Sequence, residues 1–174
     1  MVRRHNDVRD CLGRICQLAF IGVEIEKNGL SEKSRERPAD IFIPNWKDGK
    51  DAWVDVAIIN PSCNTYLKNS SQTLDYAINN SAKKKVENYQ ELVASSDTYF
   101  IPFIMDVNGR VNRDGELFLA RLATFAASHN NVSQKSILAN NRLQLSFKVL
   151  NSVAAQILRA GCSRLGNFVD QQSC

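Results

Sequence analysis

The run Ala39-Asp40-Ile41-Phe42-Ile43-Pro44, the connection Lys47-Asp48-Gly49-Lys50 and the run Ala52-Trp53-Val54-Asp55-Val56-Ala57-Ile58-Ile59 decide how this sequence folds. Both outer runs are short, β-branched and bounded by turn residues, which predicts two adjacent antiparallel strands joined by a hairpin. Each carries an acid. A carboxylate among apolar strand residues costs several kcal/mol unless it is paired, hydrogen-bonded or bound to a cation. Asp40 opens its strand, Asp55 sits between Val54 and Val56, and a hairpin through Asp48-Gly49 can set the two side by side on one face. Carboxylates that close repel one another unless a divalent ion lies between them. A plain ion pair with a basic side chain is the alternative, and spacing alone leaves both open.

Before the hairpin, residues 7–20 place Val8, Cys11, Leu12, Ile15, Leu18 and Ala19 at helical spacing. Polar His5 and Asn6 stand at the start of this helix, where such residues usually satisfy helix-end groups. Residues 21–26 alternate as a strand closed by Asn28-Gly29, with Glu24 and Glu26 on its polar face, and the charged stretch 31–37 reads as a loop. After the hairpin, residues 61–73 are polar and irregular. Residues 74–94 carry Ile78, Ala82, Val86, Tyr89 and Val93 at helical spacing, and residues 98–105 form a nearly all-apolar strand in which Pro102 requires a bulge or a sheet edge.

Two further helices follow at 116–128 and 133–160. The second carries Ile137, Leu138, Leu145, Leu150, Val153, Ile157 and Leu158 on its apolar side, with Gly161 as its C-cap. The order helix, three strands, helix, strand, two helices predicts one α/β domain with a small mixed sheet over residues 1–161 and a loose tail over 162–174.

Composition agrees with one ordinary domain: 174 residues, 44% hydrophobic and 23% charged, with 8 Gly and 4 Pro, which sets aside collagen-like, low-complexity and disordered classes. The formal net charge of +4 suits a polyanion partner without demanding one. The apolar run 99–105 is far shorter than the roughly 20 residues of a membrane span, and the N-terminus lacks a signal peptide's apolar stretch. The expectation is an intracellular protein with no membrane partner. Five cysteines, an odd number without a C-x-x-C pair, and two histidines predict free thiols rather than disulfides or structural zinc. No G-x-S-x-G, Walker or Gly-rich phosphate loop occurs, so triad hydrolase, kinase and dinucleotide readings fall away.

The run Lys83-Lys84-Lys85 has the look of a solvated face. Lys85, however, lies four residues before Tyr89 and seven after Ile78, so it shares the core-directed side of its helix, whereas Lys83 and Lys84 turn away. An ammonium there has a destination in the two carboxylates or a phosphate beside them.

Arg4-His5-Asn6, then Arg37-Pro38-Ala39-Asp40, then Val54-Asp55-Val56 with fourteen residues between the two acids, then Lys85 and Tyr89, form a constellation that resembles the restriction-like endonuclease domain of site-specific non-LTR retrotransposons. The resemblance runs from residue 4 to about residue 106. Phe100-Ile101-Pro102-Phe103 with Gly109 also looks like the region after the second helix in domains attached to reverse transcriptases. That family looks like a branch of the PD-(D/E)xK nucleases, whose core is a helix, three strands, a helix and a strand.

The resemblance implies an endonuclease that uses Mg²⁺ or Mn²⁺ to nick DNA. Asp40, Asp55 and the Val56 carbonyl would hold the ion, and Lys85 would stabilise the phosphate or the attacking hydroxide. His5, Glu24 and Tyr89 would support the site, and Arg3, Arg4, Lys83 and Lys84 would meet DNA. The usual lysine two residues after the second acid is absent, because position 57 is Ala. Period two places 55 and 57 on one strand face, so a lysine on the helix over that face reaches the same point. The family commonly shows such a relocated lysine.

The pattern departs where Ala39 separates Pro38 from Asp40. No reverse transcriptase or zinc knuckle lies within the 174 residues, which implies a fragment, a solitary mobile-element remnant or a host-adopted nuclease whose reverse transcriptase or targeting domain is elsewhere. A DNA substrate implies a nuclear location, and double-strand cutting by this fold, which generally takes two active sites, implies a homodimer. A catalytically silent relative that binds nucleic acid or a protein partner is the competing reading.

Overall fold

The structure, a computed structural model, describes residues 2–26 and 39–169, and side chains over 4–26 and 39–159. Its elements are α1 (Val2–Leu18), β1 (Glu24–Ile25), β2 (Ile41–Lys47), β3 (Lys50–Ile59), α2 (Asn64–Ser70), α3 (Tyr76–Ser96), β4 (Tyr99–Asp106), α4 (Arg113–His129) and α5 (Gln134–Val169). The expected loop 31–37, the Asn28-Gly29 turn and the Arg37-Pro38 pair lie outside the described residues.

The four strands form one mixed sheet in the order β1-β2-β3-β4, antiparallel except for the parallel β3/β4 pair. The hairpin between β2 and β3 pairs Lys47 with Lys50, and its two central residues, Asp48 and Gly49, both take positive φ (54° and 77°). That is the primed turn whose twist matches the strands, and Asp-Gly is among the few dipeptides that adopt it readily. Pro102 sits on β4, an edge strand, where its missing N–H costs no ladder bond.

Strand alternation divides the side chains between two layers. Ile41 and Ile43 of β2, Ala52, Val54 and Val56 of β3, and Phe103 and Met105 of β4 pack with α1, α4 and α5 in the main core. The opposite face belongs to α3 and holds two smaller clusters, Ala39, Phe42 and Trp53 toward the C-terminal half of α3, and Ile78, Ala82 and Ile104 toward its N-terminal half. The gap between these clusters is the position of the site.

Several expectations need correction. The region 61–73 contains α2, a seven-residue helix with no buried residue, so no apolar periodicity announced it. The first strand shrinks to Glu24–Ile25, and α1 starts at Val2, which puts His5 and Asn6 inside the helix rather than before it. Gly161 does not end the last helix. α5 continues to Val169, so residues 162–169 of the expected tail are helical, because a glycine costs a helix interior only about 1 kcal/mol and nothing after it forbids continuation. Leu150, Ile157 and Leu158, expected in the core, are exposed, whereas the expected Leu145 is buried, joined by Val149, which the sequence reading did not include.

Candidate active site

A mismatch in strand length creates the site. β2 pairs with β3 only from Ile41 opposite Val54, whereas β3 continues to pair with β4 as far as Ile59 opposite Asp106. Beyond Val54, β3 therefore lacks a β2 neighbour, and backbone groups on that side need other partners. Asp40 supplies one. Its N–H donates to the Val54 carbonyl at 3.0 Å and its own carbonyl accepts from the Glu26 N–H at 2.9 Å, extending the ladder by one step. Its Oδ2 then accepts from the Val56 N–H at 2.7 Å. The other carboxylate oxygen, Oδ1, lies 3.0 Å from Nε2 of His5, which reaches over from α1.

Asp55 stands beside Asp40 on the face turned to α3. Its side chain is 9% exposed, its Oδ2 is 2.6 Å from Lys85 Nζ, and its carboxyl group is within hydrogen-bonding reach of Asp40. The sheet-facing stripe of α3 runs Ile78, Ala82, Lys85, Tyr89, Leu92, Val93, and Lys85 is its charged member. Ile78 and Ala82 pack near Ala57 and Ile59, while Leu92 and Val93 pack on Phe42 and Trp53. The strand row beneath, Trp53, Asp55, Ala57, Ile59, also has one charged member, and the two charges meet.

Burial drives Asp55 up to about 6, with the Lys85 charge opposing and Asp40 adding to the rise. Burial pushes Asp40 upward as well, but hydrogen bonds from His5 and the Val56 N–H, together with the His5 charge, outweigh it and hold that carboxyl below its ordinary value. The hydrogen bond to Asp40 raises His5 above its usual range despite partial burial. Two adjacent carboxyl groups thus differ in character: Asp40 ionises easily, and Asp55 retains its proton longer.

These groups border a cleft of about 540 Å³, whose walls include Arg4, His5, Asp40, Asp55, Ala57 and Lys85. Ala57 lies on the wall beside Asp55, so a side chain longer than methyl at 57 would project into the same space. Of the other residues singled out in the sequence, Tyr89 stacks on Phe100 with ring centroids 5.1 Å apart, one turn along α3 from Lys85. Glu24 is exposed on β1 opposite Phe42 and is not part of the cleft wall. Lys83 and Lys84 are exposed on α3, Lys83 lying 3.8 Å from Glu87, and Arg3 lies in α1. Asn60 also lines the cleft and was not anticipated. A polar residue closing an apolar strand just before Pro61 was its signal.

The donor set suits a hard divalent cation. Asp40 and Asp55 offer carboxylate oxygens, and Val56 has its N–H turned to the side without a β2 neighbour. In an extended strand the carbonyl of the same residue points the same way. Mg²⁺ typically takes one or two carboxylates and keeps several waters. Among the described residues no group of three or more His, Cys, Asp or Glu is placed to hold a metal, so an ion held by the two acids would need waters to complete its shell. Compared with known proteins, the chain matches no protein-family model and no curated protein sequence. Among the described residues no helix is long and apolar enough to cross a membrane.

Proposed function

We propose that the protein is a divalent-metal-dependent DNA endonuclease with a restriction-endonuclease-like core, of mobile-element origin, that hydrolyses a phosphodiester bond in the Asp40–Asp55 cleft. The observation that carries this reading is the convergence of three groups from three elements. Asp40 at the start of β2 and Asp55 in β3 stand side by side at the end of the strand pairing, and Lys85 reaches Asp55 from α3 above a strand position occupied by Ala57. The order of α1, three strands, α3 and β4 is also that of the core the resemblance implies, with α2 as a short addition and α4 and α5 following.

Asp40, Asp55 and the Val56 carbonyl would hold Mg²⁺ or Mn²⁺. A divalent ion at such a site supplies Lewis acidity toward a phosphoryl oxygen and lowers the pKa of a bound water. Lys85, which lines the cleft beside Asp55, would hold a non-bridging phosphate oxygen. His5 fixes the orientation of Asp40 through Oδ1, and the Val56 N–H fixes it through Oδ2, so the first acid is positioned before any ion arrives. Arg4 on the cleft wall, and Arg3, Lys83 and Lys84 on the elements beside it, would meet the phosphate backbone.

A second reading has its own observation. The acids already carry cationic partners, Lys85 on Asp55 and His5 on Asp40, and such pairs can be a purely structural solution to buried carboxylates. That would make the domain a silent module that binds nucleic acid or a protein. Calorimetric titration with Mn²⁺ and plasmid nicking distinguish the two. The nuclease reading expects Mn²⁺ binding and nicking by the wild type, both lost in Asp40→Ala and Asp55→Ala. Nicking that persists in either variant overturns the assignment.

A further inference from the structure

We infer that the outer side of α5 is a dimer interface, against which a second copy of this chain packs its own α5 in antiparallel. Packing alone points to it, with no dependence on the nuclease reading. α5 has two apolar sides. Leu145 and Val149 are buried in the main core. Leu143, Phe147, Leu150, Ile157 and Leu158 are each 51–68% exposed. Among the described residues α1, α2, α3 and α4 show one exposed large apolar side chain apiece, Leu18, Leu67, Val86 and Leu117. Single ones are ordinary on a protein surface, whereas a contiguous set marks an interaction site.

Spacing identifies the occupant as a helix. Leu143, Phe147, Leu150, Ala154 and Ile157 follow one another at intervals of four, three, four and three residues, and Ala154 is exposed as well. That is the heptad rhythm with which one helix seats its side chains between those of another. The five positions fall within about 80° of one another around the helix and form a stripe about 21 Å long, turned away from Leu145 and Val149. Among the described residues α5 is the helix that carries such a stripe, so a second copy supplies the match, and a two-fold axis uses one patch twice. With the axis between Phe147 and Leu150, Phe147 of each copy lies beside Leu150 of the other, and Leu143 lies beside Ala154. A parallel pair would instead stack Phe147 on Phe147 and leave Ala154 facing Ala154, which fills space less evenly. The charges of α5 over its described side chains are all positive, Lys135, Arg142, Lys148 and Arg159. Helical phase sets each about 80° or more from the middle of the stripe, so the seam brings no like charges together. Because the core on its other side already holds α5 as a helix, pairing over two heptads incurs no helix-forming cost.

The test is sedimentation equilibrium of the full chain from about 1 to 100 µM. The wild type should pass from monomer to dimer over that range. Leu150→Glu and Phe147→Lys, each of which sets a charge into the seam at an exposed position, should raise the dissociation constant at least tenfold. An equimolar mixture of the two should regain dimer, because antiparallel pairing sets the new carboxylate beside the new ammonium. Leu117→Glu, which alters an exposed leucine of α4 outside the stripe, should dimerise like the wild type. Melting temperatures confirm that the variants fold. None of the stripe residues lines the carboxylate cleft, so interface and cleft are altered separately.

A wild type that stays monomeric at the highest concentration overturns the interface, as does assembly that continues beyond two copies. A dimer that either stripe variant leaves intact places the contact elsewhere and overturns it too. If Leu117→Glu weakens association as much as Leu150→Glu, the effect is general charge, and the interface falls. A mixture that fails to regain dimer overturns the antiparallel pairing.

Discussion

Replacing Asp55 with asparagine should make the folded protein more stable at neutral pH. Asp55 has an ordinary value of 3.8 and is pushed up to about 6, chiefly by burial against the partial relief that Lys85 gives. Because the folded-state value lies above the unfolded one, the protonated form is the one that folding favours. The stability it contributes is fully present below pH 3.8 and is lost as pH rises through about 6. At about 1.4 kcal/mol per pKa unit, the ionised carboxylate costs the fold on the order of 3 kcal/mol at pH 8. The substituted amide has nearly the same shape, does not ionise, and can still donate to Asp40.

In a chain of this length each kcal/mol moves the melting temperature by about 2–4 °C, so the variant should melt about 6–12 °C higher at pH 8 in EDTA. The difference should vanish near pH 4, where both side chains are neutral. Circular dichroism melts from pH 4 to pH 8 measure this directly. Adding Mn²⁺ should stabilise the wild type by mass action and leave Asp55→Asn unmoved. A variant that melts lower than the wild type at pH 8, or a gap that stays constant with pH, would refute the reasoning that burial dominates at Asp55.

Other expectations follow from the same geometry. The ring of His5, followed by NMR, should titrate above 6.5, and Asp40→Asn should bring its midpoint down, since the Asp40 hydrogen bond is the main reason for the rise. The ion pair stabilises the fold only while His5 is charged and Asp40 ionised, so His5→Ala should lose most stability below pH 6.5 and little well above the folded-state midpoint of His5. Lys85→Ala should slow plasmid nicking at least tenfold more than Lys84→Ala, and adding Ala57→Lys to the Lys85 variant should restore part of the rate; equal effects at 84 and 85 would remove the relocated-lysine assignment. Gly115→Ala should lower stability by about 1–3 kcal/mol in denaturant melts, because a methyl there would meet Val111 Cγ1 at 2.5 Å and Phe103 Cδ2 at 3.0 Å in a packed core.

The central hairpin was the most legible part of the chain, and its legibility has a physical basis. Asp48-Gly49 supports one turn type and period-two alternation puts both acids on one face, but that turn alone would set Asp40 opposite Ala57, and only the register shift between Ile43 and Lys47 brings it level with Asp55. Lys85 could be read for the same kind of reason, since helical phase with Ile78 and Tyr89 turned it inward. His5 was less legible. Nothing local distinguishes a histidine near a helix start from one that reaches across to a strand, and its contact with Asp40 spans 35 residues. The short α2 buries no side chain and so left no apolar pattern. On α5 the pattern misled, because Leu150, Ile157 and Leu158 are apolar at helical spacing yet remain exposed.

The ladder between β2 and β3 changes register partway along. Ile43 lies opposite Ala52 but Lys47 lies opposite Lys50, so β2 advances four residues while β3 advances two. The surplus on β2 is an even number, and an even surplus leaves alternation of side chains intact between the turn and the acids. Length variation in this hairpin is therefore quantised. A lineage can add or remove residues at the bulge in pairs and keep Asp40 facing the same way relative to Asp55. A single inserted or deleted residue that re-pairs the strands would instead bring Val54 or Val56 to the cleft and bury the acid in the apolar core.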